Sequence, residues 1–112
     1  MNVLSDLSAI LTNLCIPFEA GHYGGVPPDE YVVIIPLADS FELSADNMPQ
    51  VDVQEARLAI YTKGNFYPLR NQITDTLLME GFTVTDRCYI GFEPETEYHH
   101  AAIDVAREYK VG

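Results

Sequence analysis

The sequence predicts an α+β domain in which two helices pack on a small, mainly antiparallel β-sheet. Three observations lead to this fold: an amphipathic segment at the N-terminus, a second helical segment at 65–81, and apolar strand-like segments between and after them. The predicted element order is α-β-β-β-α-β-β. With 112 residues, 47% of them apolar and 21% charged, the chain is expected to form a single domain over residues 1–112.

The first predicted helix begins near the N-terminus and ends before Pro17, which cannot continue a helix. Asn2 or Ser5 can cap its start. A short strand is expected within 17–23, followed by a Gly- and Pro-rich turn at 24–30. The apolar residues of this helix recur at the spacing of one buried stripe: Val3, Leu7, Ile10, Leu11 and Leu14.

Two strands are predicted in the middle of the chain. The segment "YVVIIPL" at 31–37 is apolar on both faces, which suits a central strand, and Pro36 is expected at a strand end or a bulge. Residues 38–50 are expected to form a loop. The strand at 51–64 has apolar residues on both faces. Either a bulge near 54–56 brings them into one phase, or both faces meet apolar partners, which suggests a partner subunit.

The clearest predicted helix lies at 65–81. Asn65 is a candidate cap, and Pro68 fits the first turn. Gly81 stands where a left-handed residue commonly ends a helix. The predicted buried stripe is Leu69, Ile73 and Leu77.

A β-hairpin is expected to complete the sheet. Residues 98–109 fit either a helix or a strand, and the strand is preferred because the polar turn at 93–97 then joins it to 82–92 as a hairpin. The 82–92 segment alternates, so one set of side chains is expected on one face: Phe82, Val84, Cys88, Ile90 and Phe92.

Charge and composition restrict the function. A net charge of −11 argues against binding along a nucleic-acid backbone, which requires a basic surface. The N-terminus lacks the basic region of a signal peptide, and no segment approaches the ~18 apolar residues of a membrane span. We therefore expect a cytoplasmic protein. Cys15 and Cys88 match no zinc spacing and are expected to be reduced and buried.

The densest group of candidate ligands is "EPETEYHH" at 93–100, but its spacing fits no known metal motif. His99 and His100 are adjacent, so on a strand they point to opposite faces. The three glutamates are spaced like the start of an EF-hand loop, yet Tyr98 and Asp104 occupy the positions that require Gly and Glu. No nucleophile elbow or phosphate-binding glycine motif is present. We predict no enzymatic activity, no cofactor and no metal site.

Two function classes remain open at this point. One is an assembly protein without catalysis. The alternative is a small cytoplasmic binding or regulatory domain with a His/carboxylate ligand or metal site, for which His100 and Asp104 share a face. Tyrosine is enriched at protein interfaces because its ring buries area while its hydroxyl keeps a partner. The residues predicted at a subunit or partner interface are Tyr61, Phe66, Tyr67, Tyr89, Tyr98 and His100.

Two segments carry a resemblance to a known family: "VQEARLAIYTKGNFYPLRNQI" at 53–73 and "GFTVTDRCYIGFEPETEYHHAAIDVA" at 81–106. They resemble the small tail-completion proteins (tail terminator or head–tail joining proteins) of long-tailed bacteriophages and of prophages of Gram-positive bacteria. The similarity extends over roughly 31–107 in the order and spacing of its pieces. Glu97 and Ala101 depart from the family pattern, which favours a small residue and an aromatic there.

The resemblance implies a fold with helices on one face of a small sheet and no catalytic residues. It implies a ring, usually six-fold, at the head-proximal end of the tail tube, with three kinds of partner: copies of the chain itself, the major tail tube protein and head–tail connector proteins. DNA would pass through without specific binding, and no membrane is involved. The expected location is the virion, after assembly in the host cytoplasm. We expect Tyr61 and Tyr89 at subunit contacts and the 38–50 segment to reach a neighbour.

Overall fold

The structure, a computed structural model, describes residues 2–22, 24–43 and 49–110, with side chains described for all of these except 41–43 and 49–50. The predicted α+β class and the order α-β-β-β-α-β-β are confirmed. The elements are α1 (Val3–Asn13), β1 (Phe18–Ala20), β2 (Glu30–Leu43), β3 (Pro49–Thr62), α2 (Tyr67–Met79), β4 (Thr83–Glu93) and β5 (Tyr98–Lys110).

The five strands form one sheet in the spatial order β1-β2-β3-β5-β4. Strand β1 is parallel to β2, and the three other pairings are antiparallel, so the sheet is mainly antiparallel as predicted. The preference for a strand over a helix at 98–109 is also confirmed, since β5 pairs with both β3 and β4. Within the described chain, the three-residue β1 and the eleven-residue β4 are the edge strands.

Local signals define both ends of α1. The side chain of Asn2 accepts a hydrogen bond from the Ser5 amide at 2.8 Å, and Ser5 Oγ lies 3.3 Å from the Asn2 amide, which completes a capping box. The helix ends at Asn13, and Cys15 follows with a left-handed φ of 59°. The predicted stripe is buried at Val3, Leu7, Ile10 and Leu11, and Leu14 is partly buried.

The second helix begins at Tyr67, and its N-cap is Phe66 rather than the predicted Asn65. Asn65 Oδ1 accepts a hydrogen bond from the Tyr67 amide at 3.1 Å, and Pro68 lies in the first turn, where a missing N–H costs nothing. Gly81 follows the helix with a φ of +89°, as predicted. The buried stripe is Leu69, Ile73 and Leu77.

Both helices pack on the same face of the sheet and form the main core with it. In the part of the chain that is described, neither helix has the length and apolar character needed to cross a bilayer. The strand residues of this core lie in β2, β3 and β5: Val32, Ile34, Ala56, Leu58, Ile60, Ala101, Ile103 and Val105.

The prediction of a loop over residues 38–50 is wrong for both of its ends. Residues 38–43 continue β2 and residues 49–50 begin β3, with pairing from Ala38 opposite Glu55 to Leu43 opposite Pro49. Only 44–48 fall outside the described residues. A polar sequence argues against a strand only where the strand has to bury one face in the core. Here β2 and β3 extend beyond the core as a hairpin, and pairing between the two strands satisfies their backbone hydrogen bonds. The molecule is accordingly elongated, at 54 × 24 × 23 Å.

The phase problem of the third strand is resolved without the bulge considered near 54–56. Its register with β5 runs unbroken from Val51 opposite Lys110 to Thr62 opposite His99. The bulge lies in β2, where Leu37 is left unpaired directly after Pro36, as expected for a proline inside a strand. The alternative in which both faces of the third strand meet apolar residues is therefore the correct one.

The predicted alternation of 82–92 is wrong, because β4 contains two bulges. Register shifts leave Thr85 and Ile90 without a partner in β5, and each shift moves the side chains that follow to the other face. Tyr89 and Phe92 consequently share the helix side of the sheet, opposite Ala101 and His99 in β5. The set that was expected on one face is divided: Phe82, Val84, Cys88, Ile90 and Phe92.

The expectation that the cysteines are buried is wrong as well. Cys15 and Cys88 are both exposed and form no disulfide. Cys15 stands at the left-handed residue after α1, and Cys88 lies on the edge strand β4. Small apolar character alone does not bury a side chain when the backbone position is peripheral.

Polar contacts fasten α1 to the central strands. Tyr109 Oη donates a hydrogen bond to Asp6 Oδ2 at 2.6 Å, and Arg107 lies 3.9 Å from the same oxygen. The Val3 amide donates to Gln54 Oε1 at 2.7 Å. Burial, followed by the bond to Asp6, raises the pKa of Tyr109 well above its usual range. The phenol therefore stays a donor, and the bond joins the N-terminal helix to the last strand.

Replacing Tyr109 with Phe should lower the free energy of unfolding by about 1.5 kcal/mol, because it removes a hydrogen bond to a charged, largely buried carboxylate. Urea denaturation at neutral pH, followed by circular dichroism, measures this change. Tyr67→Phe is the matched control, since that hydroxyl is exposed and has no hydrogen-bond partner among the described residues. Equal losses in the two variants would contradict a specific role for the Tyr109–Asp6 bond.

Candidate functional site

The six residues predicted at an interface lie on two sides of the sheet. Tyr61, Tyr98 and His100 belong to the face away from the helices. Phe66, Tyr67 and Tyr89 lie on the helix side, where α2 begins beside β4. The structure thus brings the six together as two separate groups.

We call the first group, with Tyr31 added, the open-face cluster: Tyr31, Tyr61, Tyr98 and His100. Tyr61 stacks on Tyr31 with ring centroids 4.8 Å apart and on His100 at 4.3 Å. These contacts follow from the register, because Tyr31, Tyr61 and His100 are direct partners on β2, β3 and β5. Tyr98 meets the rings of Tyr31 and Tyr61 edge-on, at 5.4 and 6.3 Å.

The side chain of Tyr98 is covered largely by residues of its own chain. It is 6% exposed, and its hydroxyl donates to the carbonyl oxygen of Pro28 at 2.7 Å. Lys63 Nζ lies 5.1 Å from the ring centroid on the outer side. Tyr98 therefore fastens the 24–30 turn to the sheet and presents little surface to a partner.

His100 is the residue of this cluster whose polar atom is not satisfied. Its Nε2 is buried and makes no hydrogen bond within the described structure. Burial is the main cause that lowers its pKa, with Arg57 acting in the same direction and Glu93 opposing it. The neutral ring stacked on Tyr61 is therefore the favoured state of His100.

The carboxylate considered as a ligand partner for His100 is already engaged. Asp104 accepts two hydrogen bonds from Arg57, at 2.7 and 3.0 Å, and this bond raises the pKa of Arg57. The three-glutamate turn closes on itself, since Glu97 has a φ of 65° and its amide donates to the Glu93 carbonyl at 2.7 Å. Across 2–22, 24–43 and 49–110, no three His, Cys, Asp or Glu side chains are grouped so that they could hold a metal ion.

We call the second group, with three neighbours added, the β4–α2 surface: Phe66, Tyr67, Arg70, Arg87, Tyr89 and Phe92. Arg87 belongs to it because its partner in β5, Ile103, faces the helices. Phe66 stacks between Tyr67 and Tyr89, with centroids 4.5 and 5.1 Å away. The guanidinium of Arg70 lies 4.8 Å from the Tyr67 ring. Tyr67 is 53% exposed and Tyr89 is 47% exposed, so these rings are held in place while much of their area faces solvent.

His99 continues the aromatic row toward the hairpin turn. Its Nδ1 lies 3.0 Å from Tyr89 Oη, and its ring centroid lies 4.8 Å from that of Phe92. Phe92 and Ile90 are each about half exposed. Sequence reasoning missed Phe92 and Arg70 as parts of this surface, because their placement depends on the two bulges of β4 and on where α2 docks.

A comparison of the chain with models of known protein families gives no match, and a comparison with curated protein sequences gives none either. A function for the chain therefore has two supports, the geometry above and the resemblance carried by residues 53–73 and 81–106.

Replacing His100 with Phe should flatten the pH dependence of stability on the acid side. The unfolded chain takes up a proton at His100 near pH 6.5, whereas the folded chain, with its lowered pKa, does so only at lower pH. The free energy of unfolding of the native chain therefore falls as the pH drops through that value, and Phe removes this contribution. Denaturation curves between about pH 7 and pH 5 measure it.

The control for this experiment is His22→Gln, at an exposed position in the turn after β1. We expect it to keep the acid-side loss of stability. Parallel curves for the native chain and His100→Phe would show that the buried Nε2 does not matter to stability.

Proposed function

We propose that this chain is a non-enzymatic virion assembly protein of a long-tailed phage or prophage. It forms a ring at the head-proximal end of the tail tube, where it ends tail growth, joins the tail to the head, or does both. The proposal takes its specificity from the resemblance to tail-completion proteins. The observed fold supports it, because two helices on one face of a small sheet is the architecture that the resemblance implies.

The observation that carries the assembly function is the β4–α2 surface. Tyr67 and Tyr89 stack on Phe66 from two sides but remain about half exposed in the single chain. Monomeric proteins rarely keep a contiguous aromatic surface in solvent, and Tyr, Phe and Arg are enriched in the buried centres of protein contacts. A subunit that is completed by its neighbours has a reason to keep such a surface.

The net charge of the molecule supports a ring through which DNA passes without being bound. The net charge is −11, and acidic side chains are exposed on several elements, among them Glu19, Asp39 and Asp86. Phosphate repels such a surface, so DNA moving through a ring of these subunits is not retained. The other partners in this proposal are the major tail tube protein on one side of the ring and the head–tail connector proteins on the other.

Deleting the gene from the phage that carries it should produce defective particles, visible by electron microscopy. Abnormally long tail tubes would assign tail termination to the chain. Tails of normal length lying apart from filled heads would assign head joining. Supplying the native gene from a plasmid should restore complete virions in either case. Intact virions without the gene would contradict the proposal and direct attention to the open-face cluster at His100.

Assembly should also slow amide hydrogen exchange at the subunit contacts. We expect slower exchange in assembled tails than in the free chain for the segments that contain Tyr61 and Tyr89. The same holds for residues 38–43, the described part of the 38–50 segment that was expected to reach a neighbour. Residues 101–105 of β5 provide an internal reference, since their side chains are already largely buried in the single chain. Unchanged exchange in all three segments would exclude these contacts.

A further inference from the structure

The basic residues of this chain are confined to its second half. Residues 1–56 contain nine acidic and no basic residues, whereas residues 57–112 contain eight acidic and six basic residues. The first half of the sequence therefore carries nearly all of the net charge of −11.

The fold converts this division along the sequence into two different edges of the sheet. Strands β1 and β2 come from the acidic half and stand at one edge, while β4 comes from the other half and stands at the opposite edge with α2 beside it. The charged residues of β1 and β2 are all acidic, whereas α2 and β4 carry Arg70 and Arg87 as well as Asp75, Asp86 and Glu93. The two arginines can therefore face the acidic edge of a second copy.

The β1–β2 edge is acidic and incompletely covered. Glu19 of β1 and Asp39 of β2 are exposed. Strand β1 pairs with β2 only at residues 32–34, so no described strand covers the outer edge of β2 beyond them. Leu37, which the bulge leaves unpaired, is 47% exposed there and adds an apolar contact to the acidic edge.

The β4–α2 surface holds cations that lack a carboxylate partner. Arg57, Lys63 and Arg107 each lie within 4.0 Å of a carboxylate, whereas no carboxylate of the described chain lies so near Arg70 or Arg87. The exposed large apolar residues collect on the same two elements. Six of the eight found in the described chain belong to α2 or β4: Tyr67, Leu78, Met79, Tyr89, Ile90 and Phe92.

We propose that the β4–α2 surface binds the β1–β2 edge of a second copy of this chain, in a head-to-tail contact. Arg70 and Arg87 of one subunit then face the acidic edge of the next, and the aromatic rings cover Leu37 and its surroundings. This assignment rests on the proposed function, because it takes a ring as the assembled state. Beyond the proposed function, the assignment specifies the two surfaces that form each subunit contact.

In a row of subunits joined head to tail, one end keeps a free β4–α2 surface and the other end a free β1–β2 edge. Subunits therefore continue to add until the last one binds the first and closes the ring. A two-fold contact between identical surfaces is disfavoured by charge. Two β4–α2 surfaces would bring unpaired Arg70 and Arg87 against their own kind, and two β1–β2 edges would bring Glu19 against Asp39. The division of charge therefore favours a ring over a symmetric dimer.

Charge reversal on one edge at a time tests the contact. The first variant is Glu19→Lys with Asp39→Lys, which makes both of its contact surfaces basic. The second is Arg70→Glu with Arg87→Glu, which makes both acidic. Each is supplied from a plasmid to cells that carry the phage with the gene deleted, and complete tails are counted by electron microscopy. Either variant alone should lower the yield of complete tails about tenfold or more, because the repulsion recurs at every contact of the ring.

Supplying both variants together should restore complete tails, since alternating subunits place unlike charges at every contact. The matched control for the first variant is Glu95→Lys with Glu108→Lys, which makes the same change in net charge at exposed positions outside the two proposed contact surfaces and should behave as the native chain. Thermal unfolding of each purified variant checks that it folds. A yield equal to that of the native chain for each reversal alone, or no restoration by the pair, would overturn the edge assignment.

The same experiment separates this inference from the proposed function. If the native gene restores complete tails but the reversals do not follow the expected pattern, the chain still acts in tail completion and only the edges are wrong. If deletion leaves tails unchanged, the proposed function fails. Sedimentation of the two variants at high protein concentration, separately and mixed, then decides the contact alone. Association in the mixture but in neither variant by itself supports the contact, and any other result overturns it.

Discussion

The fold depends on covering both faces of its two central strands while its helices cover only one. Strands β3 and β5 place Leu58, Ile60 and Ile103 under the helices, and these side chains are almost completely buried. The other face has no helix in the described structure, yet Ala59 and Ala102 are each 1% exposed. Aromatic side chains supply the cover.

The open-face cluster thus acts as a second, thin layer of the core. Three of its four rings stand in direct register across β2, β3 and β5, and each aromatic contact adds about 0.5–1.5 kcal/mol beyond the area that it buries. Tyr98 completes this layer by bonding to Pro28. Covering the open face of the sheet explains why these rings are stacked. A partner surface is better sought at β4 and α2, where the stacked rings remain exposed.

The parts of this fold that could be predicted from sequence are those fixed by local chemistry. The cap at Asn2, the stop near Pro17, the left-handed Gly81 and the buried stripes each depend on residues within a few positions of one another. Pro36 indicated the bulge at Leu37, because proline cannot donate to a strand ladder. The bulges at Thr85 and Ile90 could not be predicted, because a bulge is defined by the register with a partner strand that is distant in sequence. Composition identified Tyr67 and Tyr89 as candidate interface residues, but the bulges decide that Phe92 and His99 join Tyr89.

In the proposed ring, copies of so acidic a chain have to overcome their mutual repulsion, and the proposed contact offers a way to do so. Repulsion acts between whole molecules and is screened within about 8–10 Å at physiological salt, whereas the attraction of Arg70 and Arg87 for an acidic edge acts at contact. Copies that approach at random therefore repel one another at most orientations. In the proposed ring, a tail end that holds several copies in one orientation would remove this barrier, because it would bring Arg70 and Arg87 of each copy to the acidic edge of its neighbour. Under that proposal, the copies associate weakly in solution and close into a ring when a template aligns them.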